Sequence, residues 1–117
     1  MTYMLLIVEP PEQRGTRTLA EGEAVYERMR QFGAGLQEAG VLLASESLTS
    51  QAKATRVAVR GGKAQLLDGP FAEAKEMIGG FFLLNCATHA EALAIAQRCP
   101  AAEWCSVEVR EIGPCYD

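Results

Sequence analysis

Two short runs constrain this chain more than anything else in it. Tyr3 to Val8 reads YMLLIV, and Gly80 to Ala87 reads GFFLLNCA. Each is apolar at odd and even positions alike, whereas a half-buried strand alternates apolar and polar residues. Runs of this kind belong to strands covered on both faces. Whatever fold the chain adopts must supply two covers for one sheet.

The helices predicted from the sequence supply one. Thr18 and Glu21 form an S/T-x-x-E capping pattern. Behind it Val25, Met29, Phe32, Leu36 and Ala39 recur at helical spacing, and Gly40 stops the helix. Thr88 and Glu91 repeat the pattern ahead of a second helix, with Ala92, Leu93, Ile95, Ala96 and Cys99 inward and Pro100 at its end. Val41 to Leu48 (VLLASESL) and Ser106 to Ile112 (SVEVREI) read as further strands. Arg56 to Leu67 reads as a hairpin turning at Gly61-Gly62. The order is strand, helix, strand, inserted hairpin, strand, helix, strand, which predicts an α+β ferredoxin-like sandwich. Two helices cover one sheet face. The other face is expected to meet a second copy of the chain, since a large exposed apolar face is unusual on a monomer. A pair stacked in this way leaves room for a small ligand between the sheets or at their edge.

The chain has 117 residues, a single-domain length, and we expect one domain over 1–117. With 49% hydrophobic and 22% charged residues it has the composition of an ordinary globular protein. A net charge of −4 without a basic run argues against a nucleic-acid partner. No window reaches the ~18 apolar residues of a membrane span, and the first residues lack the pattern of a signal peptide, so a cytoplasmic location is expected. Cys86, Cys99, Cys105 and Cys115 have no metal-ligand spacing and are expected to be reduced thiols. The single histidine, His89, falls in the first turn of the second helix, where a surface position is expected. No metal site and no cofactor fingerprint is present.

The candidate chemistry lies in LLDGPFAEAKEMIGGFFLL, Leu66 to Leu84. Asp68-Gly69-Pro70-Phe71 is rich in turn formers. Asp68 could be a turn residue, with Phe71 plugging a core and Glu73, Lys75 and Glu76 facing water. Alternatively, Asp68 points into a ligand space as a proton-transfer group, its pKa raised by desolvation, with Lys75 orienting an anionic substrate. Glu46, within an otherwise apolar strand, is either an edge position or a polar contact in the same cleft. Phe71 and Glu76 complete the candidate ligand-binding set. Arg56, Arg60 and Lys63 on the hairpin read as a solvated face, and Trp104 as packing.

DGPFAEAKE followed by GGFFLL, with YMLLIV at the start and VEVREI near the end, resembles the YCII-related, DGPF-type proteins over essentially the whole chain. The resemblance implies a dimeric α+β barrel of ferredoxin-like protomers. Some members of the family look like partners of extracytoplasmic-function sigma factors. A related branch is similar to small dehydrochlorinase or isomerase enzymes using a His-Asp pair. In that comparison Asp68 stands for the Asp, and His89 does not match the His. Two functions therefore stand side by side. One is a homodimeric module that binds a small molecule or acts in regulation. The other is an acid–base lyase or isomerase using Asp68.

Overall fold

A computed structural model of the chain describes residues 1–116. Six strands and two α-helices follow one another as β1 (Thr2–Glu9), α1 (Leu19–Glu38), β2 (Leu42–Ser47), β3 (Thr55–Arg60), β4 (Lys63–Asp68), β5 (Met77–Asn85), α2 (His89–Arg98) and β6 (Ser106–Glu111). Short 3-10 turns fill three of the connections, at Gln13–Thr16, Gln51–Lys53 and Pro100–Glu103. The architecture is α+β. β2, β5, β1 and β6 form one antiparallel sheet in that order, and β3 and β4 form a separate two-stranded sheet. Neither sheet closes on itself within the chain.

Both helices start where their caps require. The Thr18 hydroxyl accepts from the Glu21 amide while the Glu21 carboxylate accepts from the Thr18 amide, which completes a capping box. Thr88 accepts from the Glu91 amide in the same way, and Glu91 reaches back to the Ala87 amide. Gly40 follows α1 with φ of +77°, a conformation that glycine adopts without penalty. Gly61 and Gly62 sit at φ of +57° and +78° in the β3–β4 turn, as a two-residue hairpin turn of the primed type demands.

The strand register divides the four-stranded sheet into two faces. Tyr3, Leu5 and Ile7 of β1 lie with Leu84, Phe82 and Gly80 of β5 and with Val109 and Val107 of β6. This face packs on the helices. Leu36 of α1 and Ala92, Ile95 and Ala96 of α2 join Leu5, Phe82, Leu84, Cys86 and Cys99 in one core, with Phe32 edge-on to Phe82 at 5.2 Å between ring centroids. The opposite face carries Met4, Leu6, Val8, Phe81 and Leu83, all half-buried although no helix lies on them. Alternation within β1 and β5 therefore places apolar residues on both sides, as the uninterrupted runs require.

Several positions differ from the sequence-based expectation. β5 begins at Met77 rather than Gly80, because the ladder to β1 continues past a bulge. Leu93 of α2 is 40% exposed, one position off the buried stripe of Ala92, Ile95 and Ala96. Ala39 is exposed at the end of α1, and Cys99 lies one residue beyond α2 while remaining in the core. The hairpin does not join the main sheet. Val57, Val59, Leu66 and Leu67 are all exposed, and the radius of gyration is 16.0 Å where a compact chain of this length would have about 13 Å.

All four cysteines are free thiols, with Cys86 and Cys99 buried, Cys105 half-buried and Cys115 exposed. Burial pushes the Cys99 thiol up from 9.0 to about 11, and it raises those of Cys86 and Cys105 as well. The sign of the linkage follows: as pH rises from about 9 to about 11, the unfolded chain releases a proton that the folded chain keeps. Stability is therefore lost across that window. Urea titrations from pH 8 to 11 should show this decline, with a shallower slope in Cys99→Ala even though the variant starts from a lower value. An unchanged slope would remove Cys99 as its source.

Candidate functional site

A cleft of about 1010 Å³ lies between α1 and the β2–β5 edge of the sheet. Its apolar wall comes from Ile7, Val25, Met29, Phe82 and Trp104. Small residues on α1, Gly22, Gly33 and Ala34, keep the helix from filling it. A Cβ at Gly33 would stand 3.3 Å from the Phe82 ring, so the helix already approaches the sheet closely at that end.

The polar floor of this cleft is an ion pair. Glu9 ends β1 on the helix-facing side, in phase with Tyr3, Leu5 and Ile7, and is 5% exposed. A buried carboxylate needs a partner, and Arg14 provides it from the first 3-10 turn, with Nε 2.5 Å from Glu9 Oε1. The same guanidinium donates from Nη1 to the Leu48 carbonyl at 2.8 Å and from Nη2 to the Gly79 carbonyl at 3.4 Å. One side chain thus ties the β1–α1 loop to the end of β2 and to β5.

The two glycines of MIGGFF are explained at this point. The β1–β5 register shifts between Ile7 and Val8, leaving Gly79 in a bulge. A Cβ there would lie 2.9 Å from both Glu9 and Arg14. A Cβ at Gly80 would lie 2.8 Å from the Glu46 carbonyl oxygen of β2. The first glycine makes room for the ion pair and the second lets the edge strand come close. Glu9 and Arg14 were not among the candidates read from the sequence. The available signal was a carboxylate at an inward position of the first strand, with an arginine five residues later.

The residues that were candidates lie in two places. Glu46 contributes to the rim of the cleft, but the register sets it in a row with Phe81, Leu6 and Glu108, on the face away from the helices. Asp68, Phe71, Lys75 and Glu76 are absent from the cleft lining. Asp68 ends β4, is exposed, and accepts a hydrogen bond from the Thr55 hydroxyl at 2.9 Å across the hairpin base. Gly69 donates its amide to the Ala54 carbonyl, and the Gly69–Pro70 peptide is cis. Phe71 is buried, away from the main core, with the Arg56 guanidinium 3.8 Å above its ring and Arg56 paired to Glu73 at 3.1 Å. Lys75 and Glu76 are exposed. In this conformation Asp68 and Glu46 do not open onto a common pocket. The DGPF turn holds the projecting hairpin against the Ser50–Ala54 turn.

His89 is exposed, its ring 5.8 Å from that of Tyr3. Trp104 packs on the core and lies under Arg17 and Arg28 at 5.9 and 5.4 Å. No cluster of three or more His, Cys, Asp or Glu side chains suited to a metal ion occurs among the described residues. No helix among the described residues is long and apolar enough to cross a membrane.

Residues 1–115 match the family model of the YCII-related domain. The chain belongs to that family. It is also similar to an uncharacterized protein of Rhizobium meliloti (strain 1021), with 31% identity over 97 residues, 83% of this chain and 78% of that protein. The match of the YCII-related model runs through both the Glu9–Arg14 cleft and the DGPF turn, so the two features belong to one family domain.

Gly69 separates the structural from the chemical reading of DGPF. A Cβ on Gly69 would overlap the Gln51 carbonyl oxygen, a backbone atom that cannot move without displacing its turn. Gly69→Ala should lower the unfolding free energy by about 2 kcal/mol, an overpacking cost. Asp68→Ala, which loses one exposed hydrogen bond, should cost about 1 kcal/mol or less. Urea denaturation of the two variants measures both, and the reverse ranking would refute the clamp.

Proposed function

We propose that this YCII-related domain is a homodimeric small-molecule-binding module whose ligand occupies the cleft between α1 and the β2–β5 edge. The observation that carries the reading is the cleft itself: an apolar wall with an ion pair at its floor, of a size common among ligand sites. Coupling to an extracytoplasmic-function sigma factor, implied by the family resemblance, is the kind of regulation that such a module would serve. A cytoplasmic setting suits its free thiols.

The strand order β2-β5-β1-β6, with one helix after β1 and one after β5, supports the ferredoxin-like reading of the protomer. The open sheet face supports the dimer. Its centre is Met4, Leu6, Val8, Phe81 and Leu83, and charged residues stand only on the edge strands, Glu46 on β2 and Glu108 and Arg110 on β6. A two-fold axis along the strands would lay β2 of one copy over β6 of the other. Glu46 would then stand level with Glu108, so the match between the two faces is apolar and confined to the inner strands. The hairpin points the same way. Val57, Val59, Ala64 and Leu66 share one of its faces, and a two-stranded hairpin is marginal on its own. A second copy is the partner that covers both surfaces, completing a dimeric α+β barrel.

The alternative, an acid–base lyase or isomerase, would use Asp68 for proton transfer, with Lys75 as the anion clamp and Glu46 as a supporting polar contact. The Thr55–Asp68 hydrogen bond and the distance of that turn from the cleft lining favour the binding module.

Light scattering at micromolar concentration should give twice the chain mass for the wild type and the chain mass for Leu6→Asp. A monomeric wild type would end the dimer reading. In a thermal-shift screen, compounds that stabilise the wild type should stabilise Asp68→Asn equally, whereas Ala34→Trp, which fills the cleft from the exposed side of α1, should abolish the shift. Turnover of any stabilising compound that is lost in Asp68→Asn would decide for the enzyme.

A further inference from the structure

Glu9 is more completely buried than a charge used only to pin a loop requires, and its hydrogen bonding is lopsided. Oε1 accepts from Arg14 Nε, while among the described residues no donor of the chain reaches Oε2. The residue lines the cleft although it is 95% covered, so its uncommitted oxygen has the cleft as its outlet. A carboxylate oxygen carries about two acceptor positions, and Oε2, unlike Gln13 Oε1, is not fully enclosed, so a ligand donor can replace the water it meets. The neighbouring turn adds to the excess of acceptors. Gln13 donates from Nε2 to the Trp104 carbonyl at 2.6 Å, and its own buried Oε1 has no partner.

The donors around the floor are already in use. Arg14 spends its guanidinium on Glu9, Leu48 and Gly79. Arg30 is held by Glu27, and Arg17 lies over the Trp104 ring. With those pairs set aside, and with Glu46 on the other face of the sheet, Glu23 and Arg17 are the charged lining residues left, and they balance. With no excess of base and a carboxylate at its floor, such a site does not favour an anion.

We propose that Glu9 is the ligand-anchoring residue of the cleft, and that its ligand is a mostly apolar, ring-sized molecule presenting a hydroxyl or ammonium donor to Glu9 Oε2. This rests on the cleft being the binding site, and it adds which group anchors the ligand and what chemistry that group selects. Arg14 acts here as a positioning residue. By holding Oε1 it leaves Oε2 free, and the Gly79 bulge gives both side chains the room they occupy.

The proposal predicts an inversion of preference in Glu9→Gln. A glutamine can keep a carbonyl oxygen on Arg14 Nε and would then place an NH2 donor where Oε2 was. Four probes of similar size separate the cases: 4-ethylphenol and phenethylamine as donors, acetophenone as an acceptor, and 3-phenylpropanoate as an anion. They are titrated into the full-length protein, with amide shifts of Gly79, Gly80 and Leu48 followed by two-dimensional NMR. In the wild type the two donor probes should bind at least about tenfold more tightly than the acceptor and the anion, the magnitude of one hydrogen bond to a charged group. In Glu9→Gln the donor probes should weaken by about tenfold and acetophenone should overtake them. Ala34→Trp, altered on the opposite wall, should lose all four.

Binding at the cleft without donor preference, or with equal affinities in Glu9→Gln, overturns the role of Glu9 and leaves the cleft reading intact. An absence of cleft shifts with every probe overturns both. Should Glu9→Gln fail to fold, the wild-type ranking of donor over acceptor and anion decides the matter alone.

Discussion

The pairing of β1 with β5 is the contact on which the rest of this structure depends. These strands are the two inner members of the four-stranded sheet, and both are apolar in both alternating phases. In one phase, Leu5, Leu84 and Phe82 form the floor of the core, and α1 and α2 cover them. In the other phase, Met4, Leu6, Phe81 and Leu83 form a second surface of the same character. Two helices of these lengths have no way to reach that side. Fully burying one such side chain is worth roughly 1.5–3 kcal/mol, so leaving several half-wet forgoes a sum comparable to the net stability of a small domain. That arithmetic, more than any single residue, makes the uncovered face of the sheet part of the folding problem.

The bulge in this ladder links the core to the cleft. Straight pairing past Ile7 and Gly80 would have set a side chain where Glu9 and Arg14 meet. Admitting Gly79 as an extra residue opens that volume, and Arg14 then bridges the β1–α1 loop, β2 and β5. The cleft therefore owes its floor to two residues with no side chain, Gly79 and Gly80, and its height to small residues on α1. A packing defect at the end of a sheet has become a polar site in an otherwise apolar wall.

The elements were legible from the sequence because each had a local cause. The two threonine caps, the Gly-Gly turn and the stop at Gly40 act over a few residues, and each appears where its residues stand. The two-sided character of β1 and β5 was legible because periodicity reports faces directly. What lay hidden depended on contacts distant in the chain. The Glu9–Arg14 pair is local, but its meaning comes from Gly79 and Leu48, which the chain brings back only after the hairpin. Leu93 illustrates the limit of periodicity: a ten-residue helix buries a narrow stripe, and one apolar side chain falls outside it. The charged stretch after Asp68 drew the eye because the strands around it are apolar. Its density of charge reflects a surface connection whose one buried side chain, Phe71, is covered by Arg56.

The two apolar surfaces are not independent, because adjacent residues of β5 serve both. Phe82 faces the core and the cleft wall, Phe81 faces the open side, and Glu46 of β2 is paired with Phe81 while Ser45 is paired with Phe82. A ligand that pressed on the cleft wall would push on the β2–β5 edge, and that edge is where the charged residue of the open face stands. If a second copy binds there, the two binding events share a strand pair two residues wide. Any displacement of β2 needed by one must be matched or opposed by the other, which is the condition for a coupling free energy between sites. The edge strand β2 pairs on one side only and carries an irregularity between Leu42 and Ala44. Within this fold, β2 is the edge element that the cleft and the open face share.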